Sequence, residues 1–580
     1  MNNQRNILLA VLLSLVFLFG WDALMGRLYP QPEGGEVVEG RVDTPAEQAA
    51  VAAAEGDVPA APVTIDGALR SGDRVRIDAP RIAGSINLQG AVIDDIVLKD
   101  YNESTEDGSP PVRLFAPAGT AIQHYAGFGF LTNGQRLAAD TVWQADGDTL
   151  TPGTPVTLTH QGPGGLVYTL TFSIDDEFMI DVVSRVDNLG GGAAVVQPYS
   201  LIARTSATAS DDFFIAHSGP MGVFDDAADY DYGYDDVVEE GTVSPAGRPE
   251  WLGFTDIYWL SALVPGTGGA DATFRSLGND LFRADLIHDP MPLASGRAIT
   301  TETRLFAGAK ESGVLDAYQD AGIEKFGLAI DWGWFRWFEK PLLWLLKQLF
   351  AIVGNFGVAI ILLTVIVRAF MFPIAQKGFA SMAAMKAIQP RMKKIQEQHK
   401  DDKLKAQQEM QKLFKDEGVN PLSGCLPLLI QFPIFFALYK VLYLAIEMRH
   451  EGFLYIDDLS APDPAKILNL FGLLPFDPPG FLGIGILALL LGFTMWLTFK
   501  LNPSSADPMQ QQIFNIMPWI LMFVMAPFAA GLLIYWNASN VLVLAQQKYL
   551  YSRHPQLKAA MAKEKAEKAR EAEQAKAEKA

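Results

Sequence analysis

One cysteine, Cys425, stands in 580 residues, so no intrachain disulfide can form and cysteine usage leaves the redox compartment open. Its context, Leu422-Ser423-Gly424-Cys425, imitates a lipoprotein processing site. That signal belongs at the end of an N-terminal leader, and the mid-chain position argues against lipidation. The chain also lacks a His-Glu-x-x-His zinc helix, a phosphate-binding glycine loop and a Gly-x-Ser-x-Gly elbow. The glycine patches at 162–165 and 190–192 have none of the flanking pattern those motifs need. No enzymatic reading gains support, and no catalytic residue, metal ligand or cofactor is expected. The acidic run Asp225–Asp236 lacks the twelve-residue calcium-loop spacing and reads as a solvated loop.

Basic residues are scarce in the first half. Residues 26–331 hold 46 Asp+Glu against 18 Lys+Arg, whereas residues 340–580 hold 26 basic against 18 acidic residues. The first half therefore reads as an acidic soluble domain, the second as membrane protein with basic loops. Within the second half, charge of either sign is missing from long stretches. Residues 348–367, 418–439, 478–499 and 508–547 carry none. The second block continues past Lys440 to Ile446. As one helix, the last would run about 60 Å, twice a hydrocarbon core. The turn signal Ala526-Pro527-Phe528-Ala529-Ala530-Gly531 divides it into two spans. An uncharged stretch from Asn6 to Trp21, followed by a poor cleavage site at Ala23-Leu24-Met25, adds a retained N-terminal anchor. Six spans are expected.

Lysine and arginine in short loops set the orientation. The segment 374–423 carries ten, and residues 549–580 carry eight, while the connector 447–477 has six acidic and two basic residues. Both termini then lie in the cytoplasm and the acidic domain lies outside.

Arg368 is the one charge between Lys347 and Lys377. A guanidinium keeps its proton, and burying one at a helix centre costs roughly 2.5–3.5 kcal/mol on insertion scales. Such a residue by default marks a functional site facing protein or water. Snorkelling to the headgroups is the bland alternative, but Arg368 lies about 13 Å of helix from Lys377. Thr364 shares its face. Gln431, Asn537, Ser539 and Asn540 are further polar residues at membrane depth. Singly they read as interhelical glue; together with Arg368 they suggest a polar chamber.

Residues 331–348 combine Trp332, Trp334, Trp337 and Trp344 with a stripe of Arg336, Glu339, Lys340 and Lys347, the pattern of an interfacial helix. The basic loop carries Met382, Met385, Ile388, Met392 and Ile395, then Leu404, Met410, Leu413 and Phe414, ending at Gly418. This predicts a hairpin of two amphipathic helices. Its methionine face is either an adaptable surface for apolar clients or an ordinary packed interior. In the acidic half, short alternating runs such as Val156–Thr159, Leu166–Phe172 and Phe178–Val183 predict an antiparallel sandwich closed by a helix near Ser312–Phe326.

Three stretches carry a resemblance: Val419-Asn420-Pro421-Leu422-Ser423-Gly424-Cys425-Leu426-Pro427 on to Tyr439, Asp507-Pro508-Met509-Gln510-Gln511-Gln512, and Gly531–Asn540. They resemble the YidC/Oxa/Alb family of membrane insertases, densely from about 331 to 555. The anchor and large exported domain are similar in arrangement to its Gram-negative form. The resemblance implies a multi-domain fold: an α-helical membrane bundle of six transmembrane helices with a five-helix insertase core, plus an all-β periplasmic super-sandwich. It implies insertion and folding of nascent membrane proteins, alone or with the Sec translocon and its SecD/SecF subunits, on translating ribosomes and in a phospholipid bilayer. The family's groove residues fall on Arg368 and Thr364, and Gln431, Tyr535, Ser539 and Asn540 are expected to line the groove with them. The groove aromatic falls on Trp536, where the family pattern has a second tyrosine after Tyr535. Met382, Met385, Met392 and Met410 are the expected client contacts of the hairpin.

The expected organisation is an anchor at 1–26, a Pro/Glu/Ala/Gly-rich linker at 27–62, the β-sandwich with its closing helix at 63–328, and an interfacial helix at 331–350. Spans follow at 351–373, 419–446, 478–499, 512–527 and 529–548. The hairpin occupies 374–418, a periplasmic loop 447–477, a cytoplasmic loop 500–511 and a basic tail 549–580. The alternative from another class is a secondary transporter using Arg368 as an anion site. No internal repeat supports it. A tethered carbohydrate-binding enzyme is weaker still.

Overall fold

The computed structural model describes residues 63–210, 217–333, 336–399, 402–418, 426–501 (apart from 472, 475, 477 and 479–482) and 508–553. The expected anchor at 1–26, the whole linker at 27–62 and most of the tail lie outside these residues. The chain divides into two units, Met1–Asp331 and Trp332–Ala580.

The first unit is built on two sheets, of twelve and nine strands. Alternation in the sequence explains the pairing. Leu166–Ile174 buries every second residue and pairs antiparallel with Met179–Asn188, Leu166 opposite Asn188 and Ile174 opposite Ile180. At the turn between them, the Asp175 carboxylate accepts from Glu177 N at 2.9 Å and Met179 N at 3.0 Å. It also accepts from the Tyr318 hydroxyl at 2.6 Å. Two short helices, α1 (Ile65–Leu69) and α2 (Tyr234–Glu240), flank the sheets, and α3 (Ser312–Asp320) carries Tyr318. Tyr318 and Phe326 pack edge-on with Phe306 of the nine-stranded sheet, which fixes the closing helix where the sequence predicts one.

The two sheets are also joined by polar pairs. Arg204, on Ala194–Thr205 of the larger sheet, meets Asp256 beside the smaller sheet at 2.8 Å, both buried. His124 Nε2 meets Ser261 Oγ at 2.9 Å, also between sheets. Buried Lys310 donates to Thr255 Oγ1 at 2.9 Å.

The second unit is helical: α4 (Arg336–Val353), α5 (Phe356–Gln398), α6 (Lys403–Asp416), α7 (Leu426–Leu444), α8 (Ile486–Leu501), α9 (Pro508–Met525) and α10 (Ala530–Arg553). The long uncharged block breaks at the expected turn, between Met525 and Ala530. Ala530 N and Gly531 N, at the start of α10, donate to Ala461 O and Leu459 O of the connector at 2.8 and 2.9 Å. Asp463 ties the same connector to α8 by accepting from Leu487 N at 2.7 Å.

The helix carrying Arg368 does not end at Pro373. Helix α5 continues through Pro373 and Pro390 to Gln398, so the first arm of the hairpin and the span are one helix of 43 residues. Both ring positions are accommodated inside it. Among the described residues one segment, Phe356–Gly378, is long and apolar enough to cross a membrane; Gln431–Leu444, Ile486–Lys500 and Phe514–Met525 are shorter apolar helices.

Helix α4 has the expected amphipathic character. Trp337 and Trp344 are exposed, while Leu342, Leu343 and Leu346 are buried. Glu339 departs from the expected polar stripe: it is buried with the leucines, because residues 339, 342, 343 and 346 share one helical face. Lys347 reaches Glu447 at 2.9 Å, tying α4 to the connector.

Candidate functional site

Helix α5 starts at an asparagine cap. Asn355 accepts from Val358 N at 3.1 Å and donates to Gly452 O at 2.9 Å, which sets the helix against the connector. At Gly357 the helix touches Phe453 so closely that an added Cβ would lie 2.2 Å from the ring. Three turns on, Arg368 points toward α10. Its Nε donates to Ser539 Oγ at 3.0 Å, and one terminal nitrogen donates to the same hydroxyl. Among the described residues no carboxylate pairs with it. Among the described residues the hydrogen-bond partner of this half-buried guanidinium is a neutral hydroxyl, on a group that carries five donors.

One turn earlier on α10, buried Tyr535 accepts from Gln431 Nε2 of α7 at 2.8 Å. Gln431 Oε1 is buried without a protein partner among the described residues. Trp536 packs on Phe435 of α7 with ring centroids 4.6 Å apart, and Phe435, Tyr439 and Phe528 continue the aromatic wall. The arrangement is a polar strip, Arg368–Ser539 and Tyr535–Gln431, bordered by aromatic rings on α7 and α10. It can offer donors and acceptors to a polar chain beside an apolar surface. Among the described residues it contains no nucleophile–base pair.

Two expected groove residues are placed differently. Thr364 is fully buried and its hydroxyl turns back to Ile360 O of its own helix at 2.7 Å, so it lies one turn from Arg368 without offering it a hydrogen bond. Asn540 is turned away from Arg368 altogether. It donates to Thr494 Oγ1 of α8 at 3.0 Å, while Asn537 donates to Leu487 O at 2.9 Å. Neighbouring positions on a helix point about 100° apart, so 535 and 539 face α5 and α7 whereas 537 and 540 face α8. Thr494 was missed by the sequence reading. Its signal is a hydroxyl in an otherwise apolar span, with Thr498 four residues on.

The hairpin methionines pack between the two arms. Met385 and Met392 of α5 pack with Met410, Leu413 and Phe414 of α6, around Ile388. The face that alternates correctly for a client surface is taken by the partner arm, and Arg391 pairs with Glu417 across it. Met382 lies on the same helix, with its side chain outside the described residues.

Residues 74–345 match the model for the YidC periplasmic domain, and residues 348–558 match that for the 60Kd inner membrane protein. The membrane protein insertase YidC of Beijerinckia indica subsp. indica is 41% identical over 582 residues, covering 95% of this chain and 96% of its own. The chain belongs to the YidC family of membrane protein insertases. The YidC of Zymomonas mobilis is likewise 41% identical, over 562 residues, covering 95% of this chain and 96% of its own. A crystal structure of an active YidC insertase with its first transmembrane domain resolved is 18% identical over 82% of this chain and 92% of its own, at a TM-score of 0.36. The YidC assignment makes this an inner-membrane insertase with a periplasmic β-sandwich domain and a helical insertase region. It gives the transporter alternative no support.

Proposed function

We propose that this insertase works by physical means, through a polar groove between α5, α7 and α10 centred on Arg368. A client's hydrophilic tail enters from the cytoplasm, drawn to the guanidinium when the tail is acidic. Its apolar segment leaves sideways along α7 and α9 into lipid. The groove shortens the low-dielectric distance over which a lone charge must travel, and that distance sets the cost of crossing. One observation carries this reading: the Arg368 guanidinium, in the helix long enough to span, is held by the Ser539 hydroxyl and, among the described residues, by no carboxylate. An arginine already neutralised by a carboxylate would have little attraction left for a client.

The proposed arrangement has six crossings with both termini cytoplasmic, and the protein both inserts and chaperones nascent chains. The Sec translocon with SecD/SecF and the translating ribosome are its proposed partners. The charge map supports this parity: basic residues gather in 374–423 and 549–580, and acidic ones in the connector. The basic tail would touch ribosomal RNA or anionic lipid.

The test places a photocrosslinking residue at 368 or 536 and presents ribosomes stalled on a nascent membrane protein. Crosslinks to the nascent chain at both sites are expected. Their absence at both, with normal membrane incorporation of the variants, would overturn the groove.

A further inference from the structure

The connector between α7 and α8 carries an apolar crest that the groove does not use. Leu468, Leu470, Phe471, Leu473, Leu474 and Phe476 are each between 39% and 81% exposed. From Ile467 to Phe476 the sequence holds no charge, and Lys466 and Asp477 bracket it. Contiguous exposed apolar surface of this kind marks an interaction site.

Several backbone groups of the crest close on one another. Phe471 N donates to Lys466 O at 2.8 Å, Leu470 N to Ile467 O at 3.1 Å, Leu474 N to Asn469 O at 3.0 Å and Phe476 N to Leu474 O at 2.9 Å. Leu470 and Phe471 both take left-handed conformations, at φ 52° and 63°, which bulky residues rarely adopt. Closing polar groups inward while turning leucine and phenylalanine outward suits a non-aqueous neighbour.

The position of the crest identifies that neighbour. Ile467 N donates to Ile484 O at 3.0 Å, and Ile486 N donates to Ala465 O at 3.2 Å, so the base of the crest is pinned to the first residues of α8. Glu447, at the other end of the connector, holds Lys347 of α4, whose Trp337 and Trp344 are exposed. A span end and an aromatic interfacial helix both mark the boundary of a bilayer.

We propose that this crest is seated in the headgroup–acyl boundary of the periplasmic leaflet, with phospholipid as its partner. The assignment rests on the crossing of α7 and α8 proposed above. Lys466 then sits at the water side, and the crest with α4 anchors the outer end of the bundle at two points.

The single native cysteine makes the test clean. On a Cys425→Ser background, Leu473→Cys, Leu468→Cys and, as a water-exposed reference, Asp107→Cys are labelled with an environment-sensitive nitrobenzoxadiazole dye. The full-length proteins are reconstituted into phosphatidylethanolamine–phosphatidylglycerol vesicles. Labels at 473 and 468 are expected to emit to the blue of that at 107, to lose signal to lipids carrying a shallow nitroxide, and to resist iodide. Emission and iodide quenching matching those at 107 would overturn the proposal. So would blue-shifted emission that neither quencher reaches, because a protein surface would then be the partner. Two label sites guard against a single variant that fails to fold. The crosslinking test of the groove is independent of the outcome.

Discussion

Raising the pH from 8 to 10 should stabilise the β-sandwich domain, and Lys310 is the reason. Its ammonium is buried beside Thr255, and loss of hydration pushes its pKa down to about 8, against the opposing pull of the Asp256 and Asp331 carboxylates. Asp256 is already committed to Arg204 at 2.8 Å and accepts from Ser210 N and Ser218 Oγ at 3.0 and 3.1 Å. The unfolded lysine holds its proton to 10.5, whereas the folded one releases it near 8. Between those values the unfolded chain binds more protons, so rising pH favours the folded state. The gap corresponds to on the order of 3 kcal/mol at about 1.4 kcal/mol per pH unit. Buried Tyr234 works the other way: burial raises its pKa, so its contribution is lost above pH 10, which closes the useful window there. Urea unfolding of the full-length protein, followed by tryptophan fluorescence between pH 7.5 and 10, measures the slope. Lys310→Met should flatten it and should cost least near neutral pH. Stability that falls through this window, with a slope unchanged in Lys310→Met, would refute the account of a lysine strained by burial.

Three further outcomes follow from the membrane unit. Arg368→Ala should impair insertion of clients with acidic tails more than neutral ones; with a charged hydrogen bond contributing about 1.5–3 kcal/mol, the loss is roughly 10–100-fold. Equal loss for both classes in a vesicle insertion assay would eliminate charge attraction. Thr494→Val and Asn540→Leu should each lower thermal stability by about 0.6–1.7 kcal/mol, the range of interhelical hydrogen bonds in membranes, while crosslinking from 368 persists. Gly357→Ala should destabilise by about 1–3 kcal/mol through overpacking, and Phe453→Ala should restore much of it in the double variant, as a double-mutant cycle would read.

Much of this architecture is legible in the sequence because it depends on periods and punctuation. The strand at Leu166–Ile174 alternates, and the uncharged block at 508–547 is too long for one span and has its turn signal in the middle. Arg368 and its depth need only a count of missing charges. What could not be read depends on which helix lies beside which face. Ser539 and Asn540 are adjacent and both polar, yet one meets Arg368 and the other Thr494, since α10 is flanked on two sides. Met385, Met392 and Met410 form a regular apolar face, and regularity does not say whether a client or the opposing arm covers it. Pro373 reads as a stop, but a helix can continue through proline when its surroundings take up the freed carbonyl.

That continuity has a mechanical consequence. At 1.5 Å per residue the 43 residues of α5 form a rod about 65 Å long, more than twice a hydrocarbon core. In the proposed mechanism, a ribosome or client that leans on the hairpin pushes on the far end of the rod that carries Arg368. The compliant point is Pro373, which supplies no N–H to Ala369 O, only five residues from the guanidinium. In that mechanism, torque from outside the membrane is absorbed at Pro373 or delivered to the Arg368–Ser539 contact, and the helix serves at once as wall, lever and hinge.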